Sequence, residues 1–155
     1  MSNTVQFYHL LSTSPERAIP KLMEKALGAH SKVVMLANDE QMMKRVSDAL
    51  WNSDPNGFLP HGTSKDGHAD EQPIYLSLAD ENPNNADVLV VLDGSLPASF
   101  NTYRKVLDVF DGNDEKAVLA ARERWTHYKA QGVGLQYVKQ QPNGGWKIET
   151  ESNAA

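Results

Sequence analysis

The sequence predicts an open α/β fold, a mostly parallel sheet flanked by helices, from two observations. First, "KVVMLA" at 32–37 and "DVLVVL" at 87–92 are almost wholly apolar, as strands buried on both faces of a parallel sheet are. Second, segments with helical spacing separate the strand-like runs, so the chain reads strand, helix, strand, helix, strand.

Each element has its own justification. "VQFYHL" at 5–10 is the first strand. Ile19, Leu22, Met23 and Ala26 keep the spacing of a helix that Gly28 ends. Ser14 and Pro15 suit its start as N-cap and first helical residue, although Pro20 then falls in its interior. After the second strand, Asn38 is placed as the cap of a second helix with Gln41 three residues on and a stripe of Met43, Val46 and Leu50. Turn formers at 52–57 stop it, residues 62–72 read as a polar loop, and "PIYLSL" at 73–78 is a short strand. A second polar connection at 80–85 leads into the strand at 87–92. A further strand is expected around 105–110, then a helix at 114–131 with Asp114 and Glu115 at its positive end and Gly132 as its stop. "LQYVK" at 135–139 and "WKI" at 146–148 are extended pieces on either side of a turn. Residues 1–148 are read as one domain and 149–155 as a disordered tail.

Composition narrows the function. The 155 residues suit a single core. No apolar run nears the roughly 20 residues that span a bilayer, and the start "MSNTV" lacks the basic and apolar blocks of a secretory signal. With no cysteine there is no thiol nucleophile, disulfide or cysteine zinc site, which suits a reducing cytosol. A net charge of −5 opposes direct nucleic-acid binding through bulk electrostatics.

Parallel sheets bind nucleotides at the carboxyl ends of their strands, yet no glycine loop follows the first strand here. Asp93 and Ser95 in "LDGSLP" read as a turn. His61 and His68 with Asp66 and Asp70 match no zinc spacing. "DGNDE" at 111–115 lacks the length and final glutamate of a calcium loop and is explained by helix capping. No cofactor, metal or catalytic set is assigned.

Two aromatic features carry more. Trp51 and Phe58 flank the turn at 52–57. In "ARERWTHYKAQG" at 121–132, Arg122 and Lys129 lie seven residues apart and project alike, with Trp125 on the adjoining turn. Two cations around an indole can hold a carboxylate beside an apolar group. The alternative is that Trp125 and Tyr128 are core, with Arg122, Arg124 and Lys129 forming a solvated face paired with Glu123.

"VQFYHL", the block "VVMLANDEQMMKRVSDALWNSDPNGFLPHG" and "ARERWTHYKAQG", in this order and at these separations, resemble the chi subunit family of bacterial DNA polymerase III holoenzyme over most of residues 4–147. The resemblance implies a non-catalytic protein, similar in fold to mononucleotide-binding domains but without the phosphate loop. It implies a cytoplasmic 1:1 partner of the psi subunit, joining the clamp loader through psi to the acidic C-terminal tail of single-stranded DNA-binding protein, which ends in a phenylalanine carboxylate. By position, Trp51 and Phe58 match the psi-contacting aromatics, and Pro60 and His61 complete that motif. Arg122 matches a basic residue of the tail site, and Trp125 stands where tyrosine is frequent. Thr126 and Val118 replace basic residues, which leaves Lys129, Lys116, Lys105 or Arg104 as sources of nearby charge. Two other readings stay open: a nucleotide-dependent enzyme on the same sheet, and an adaptor whose aromatic site takes another partner such as a helicase.

Overall fold

The computed structural model describes residues 4–28, 31–37, 39–52, 62–63, 71–92, 96–143 and 145–152. Its eight-stranded sheet is built of β1 (Thr4–Leu10), β2 (Val33–Leu36), β3 (Gly62–Thr63), β4 (Ile74–Ser77), β5 (Val88–Leu92), β6 (Lys105–Asp111), β7 (Gly134–Gln140) and β8 (Trp146–Ser152). The spatial order is β3-β4-β2-β5-β6-β1-β7-β8. All pairs are parallel except β7 with β8. The helices are α1 (Pro15–Gly28), α2 (Glu40–Asn52) and α3 (Glu115–Ala130), with a short 3-10 turn at Ala98–Thr102. The open parallel α/β architecture read from the sequence is the one found.

Alternation along the strands divides the core into two layers. On the first face, α1 and α2 pack Ile19, Leu22, Met23, Val46 and Leu50 against Tyr8, Met35, Val90 and Leu107. On the second, α3 and the 3-10 turn pack Ala121, Tyr128 and Phe100 against Phe7, Val34, Leu89 and Val106. β2, β4 and β5 are buried along their whole length, which is why β2 and β5 are continuously apolar, while β4 ends in Ser77, whose buried hydroxyl donates to Glu81. Each large apolar side chain removed from water in these layers contributes roughly 1.5–3 kcal/mol before entropy is counted.

Several local expectations are revised. The N-cap of α2 is Asp39, whose Oδ1 accepts the Met42 N–H at 2.7 Å; Asn38 lies outside the described residues. A carboxylate is the better cap at the positive end of a helix. Pro20 does sit inside α1, which begins at Pro15 with the Ser14 carbonyl accepting the first helical N–H groups. Proline has no N–H for the carbonyl of residue 16, and residues 18–20 around it are buried. Residues 62–63 of the expected polar loop form β3, beside β4. Residues 149–152, assigned from the sequence to a disordered tail, belong to β8, which pairs with β7. Their side chains carry no apolar alternation because residues 149–151 are exposed at the sheet edge, where charge guards against edge-to-edge pairing.

Candidate functional site

α3 is held by contacts that set its rotation. Asp114 caps it, Oδ1 accepting the Lys116 N–H at 3.0 Å, and Gly132 ends it at a φ of 77°, where glycine carries no penalty. Capping therefore accounts for the acidic run at 111–115. The buried side of the helix presents Ala121, Arg124 and Tyr128. Arg124 donates from Nε and Nη2 to the two carboxylate oxygens of Asp108 on β6, at 2.7 and 2.9 Å. Both side chains are out of solvent. Arg124 is thus no part of a solvated face paired with Glu123. Burial pushes the Asp108 carboxyl up, with the Arg124 guanidinium opposing the shift.

A fork anchored at Arg124 aims the neighbouring positions outward. Arg122, two residues away and so some 200° around the helix, is exposed, as are Thr126 and Lys129. Trp125 sits half-buried at the boundary. Its ring lies 5.6 Å from Phe7 and 6.0 Å from Tyr137. Beside Tyr137 stands His9, their Oη and Nδ1 sharing a 2.5 Å hydrogen bond, and His9 meets Phe110 edge-on at 5.2 Å. His9 is held below the usual imidazole range, first by burial, then by Lys139 and Arg122, with Asp111 acting the other way. Two cations, Arg122 of α3 and Lys139 of β7, therefore converge on an aromatic group made of His9, Trp125 and Tyr137. Such a surface can take a carboxylate and a ring together.

Of the three residues that helical spacing groups on α3, Arg122 and Lys129 are exposed and Trp125 is half-buried. The Thr126 hydroxyl donates to the Arg122 carbonyl at 3.2 Å and adds no charge. Val118 packs on the second-face core. Lys105 and Arg104 do not serve this site. Lys105 alternates with Val106 and Asp108 and faces the other side of the sheet, and Arg104 pairs with Asp87 at 3.3 Å. Lys139 and His9 were missed, although the period of two through Leu135, Tyr137 and Lys139 puts all three on one face.

Trp51 closes α2 and is 57% exposed. α2 packs on the first face through Val46 and Leu50, so Trp51 and the α3 surface lie on opposite sides of the sheet. Phe58, Pro60 and His61 lie outside the described residues, as do Asp93, Ser95, Asp66, His68 and Asp70.

A cavity of about 430 Å³ adjoins the carboxyl end of β6, lined in part by Met42, Phe110, Asp111, Asp114 and Ala117. Its carboxylates already accept N–H groups of residues 113 and 116, and they repel a phosphate. Lys116 and Arg124 line the same cavity, but Arg124 is held by Asp108.

Gly112 is required by close approach. Its N–H donates to the Leu10 carbonyl at 2.7 Å, and a Cβ there would overlap both the His9 imidazole and the Leu10 carbonyl oxygen. Gly112→Ala is expected to lower stability by about 1–3 kcal/mol, the usual range for overpacking, read as a reduced midpoint in urea.

Comparison with known proteins gives a consistent set of relatives. The family model for the DNA polymerase III chi subunit, HolC, matches residues 1–136. The "Probable DNA polymerase III subunit chi" of Rickettsia prowazekii is 32% identical over 109 residues, 68% of this chain and 66% of that protein. The DNA polymerase III subunit chi of Haemophilus influenzae is 28% identical over 139 residues, covering 87% of this chain and 96% of that protein. For the Escherichia coli subunit chi the figures are 23% over 121 residues, 77% and 82%.

Proposed function

The chain belongs to the DNA polymerase III chi subunit family, a replication component, and on that premise we propose that it is a non-catalytic adaptor. It joins the clamp-loader complex, through psi, to the acidic C-terminal tail of single-stranded DNA-binding protein in the cytoplasm. Psi binds 1:1 at the end of α2 through Trp51, with Phe58, Pro60 and His61 following in the chain. The tail binds on α3 at Arg122, Trp125 and Lys129.

The observation that carries this reading is the exposed Arg122 beside a half-buried Trp125, on an otherwise acidic chain. A tail ending in a phenylalanine carboxylate needs a guanidinium fork for the carboxylate and an apolar bed for the ring. Arg122 supplies the first, and the Trp125 and Tyr137 rings, backed by the buried Phe7, the second. Thr126 and Val118 leave the site with fewer helical cations than the family pattern, and Lys139 on the adjoining strand offsets part of that loss. Affinity should fall as salt rises.

Arg122→Ala should weaken binding of a peptide ending in Asp-Ile-Pro-Phe by about 1.5 kcal/mol or more, the scale of a lost charge-assisted hydrogen bond. Isothermal calorimetry at low salt reads this directly. An unchanged dissociation constant removes Arg122 from the site.

A further inference from the structure

The C-terminal hairpin extends the first face of the sheet past the helix that covers it. There Val138 of β7 aligns with Ile148 of β8, and Gln140 with Trp146. Trp146 and Ile148 are 39% and 49% exposed, and the Trp146 ring meets Tyr8 edge-on at 5.1 Å. Between this apolar strip and α1 runs a groove of two adjoining hollows, about 280 and about 170 Å³, which share Tyr8, Leu22 and Lys25.

The groove is cationic along one wall. Lys21 and Lys25, one helical turn apart, line it from α1, and Lys105 with Arg104 lines its far end. Among the described residues, Lys21, Lys25 and Lys105 form no ion pair; Arg104 alone is engaged, by Asp87. Burial and then the nearness of Lys25 and Arg104 hold the Lys105 ammonium below its usual range. A chain with a net charge of −5 therefore gathers three lysines at one place that form no ion pair among the described residues.

We propose that the groove between α1 and the β7–β8 hairpin binds an acidic peptide segment carrying one large apolar side chain. Its carboxylates sit among Lys21, Lys25 and Lys105, and its apolar side chain lies on the exposed Trp146 and Ile148. A single strand of nucleic acid fits less well. Tyr8 is buried, leaving no open pair of ring faces for stacked bases. At the hairpin side, Glu151, held by Gln136 at 2.9 Å, opposes a longer polyanion. The groove lies on the opposite side of the sheet from Arg122, so it is a second site.

The test uses the ¹⁵N-labelled full chain with three probes: Asp-Glu-Phe-Asp-Glu-Asp, its neutral analogue Asn-Gln-Phe-Asn-Gln-Asn, and twelve-residue oligothymidylate. The acidic peptide should shift amide signals of residues 21–25, 138 and 146–148, and the neutral analogue should bind at least tenfold more weakly. Lys25→Glu, or Lys21→Glu if the first variant melts early, should weaken the acidic peptide at least tenfold, as should Ile148→Ser, while Arg122→Ala leaves the groove signals unchanged. The proposal is overturned by shifts confined to α3, by equal binding of the neutral analogue, by tighter binding of oligothymidylate in the groove, or by self-association through β8 as the only response.

Discussion

Asp108→Ala is expected to cost about 3–5 kcal/mol of folding stability, the range for breaking a buried ion pair by removing one partner. Asp108 is fully out of solvent and Arg124 nearly so, and among the described residues each side chain hydrogen-bonds only to the other. The alanine variant therefore leaves a guanidinium buried without its carboxylate. That cost belongs to the orphaned charge and not to the pair itself, because burying the pair also costs desolvation. The double variant Asp108→Leu/Arg124→Met, of similar volume, should regain most of the loss. Urea denaturation of the wild type, both single variants and the double variant measures each corner of the cycle. The single variant should also loosen the rotation of α3 and weaken binding of the tail peptide, although Arg122 is untouched. A stability loss under 1 kcal/mol for Asp108→Ala contradicts the anchoring role given to the pair.

Trp51→Ala is expected to abolish co-purification with psi while leaving the isolated fold intact. Central aromatics that fill a partner's pocket typically cost 2 kcal/mol or more on truncation, whereas exposed positions change stability by about 0.5 kcal/mol or less. At 57% exposure Trp51 is on the surface, unlike Leu50, its buried neighbour on α2. The two effects separate in one experiment, a melting curve beside a pull-down with tagged psi. A large fall in melting temperature without psi present assigns Trp51 to the core instead.

The parallel sheet was legible because β2 and β5 are buried on both faces and so carry unbroken apolar runs. β8 was only half legible. Trp146 and Ile148 mark its start, but Glu149, Thr150 and Glu151 face solvent, and backbone pairing with β7, not side-chain pattern, keeps them extended. The α3 surface could be read as far as Arg122, Trp125 and Lys129, since helical spacing alone groups them. Which of three basic residues turned inward could not be read from the helix. That is decided by Asp108, sixteen residues earlier, whose carboxylate in the apolar run "KVLDVFD" needs a cationic partner. His9 and Lys139 reach the site only through the adjacency of β1 and β7, strands far apart in sequence.

The adaptor role is tested most directly by recovering the tagged full chain from its own cell at low salt and identifying what comes with it by mass spectrometry. The account predicts psi with clamp-loader subunits, together with single-stranded DNA-binding protein. In Arg122→Ala the last should be lost and the others kept, and in Trp51→Ala the reverse. Recovery of neither set with the wild type, or retention of single-stranded DNA-binding protein by Arg122→Ala, contradicts it.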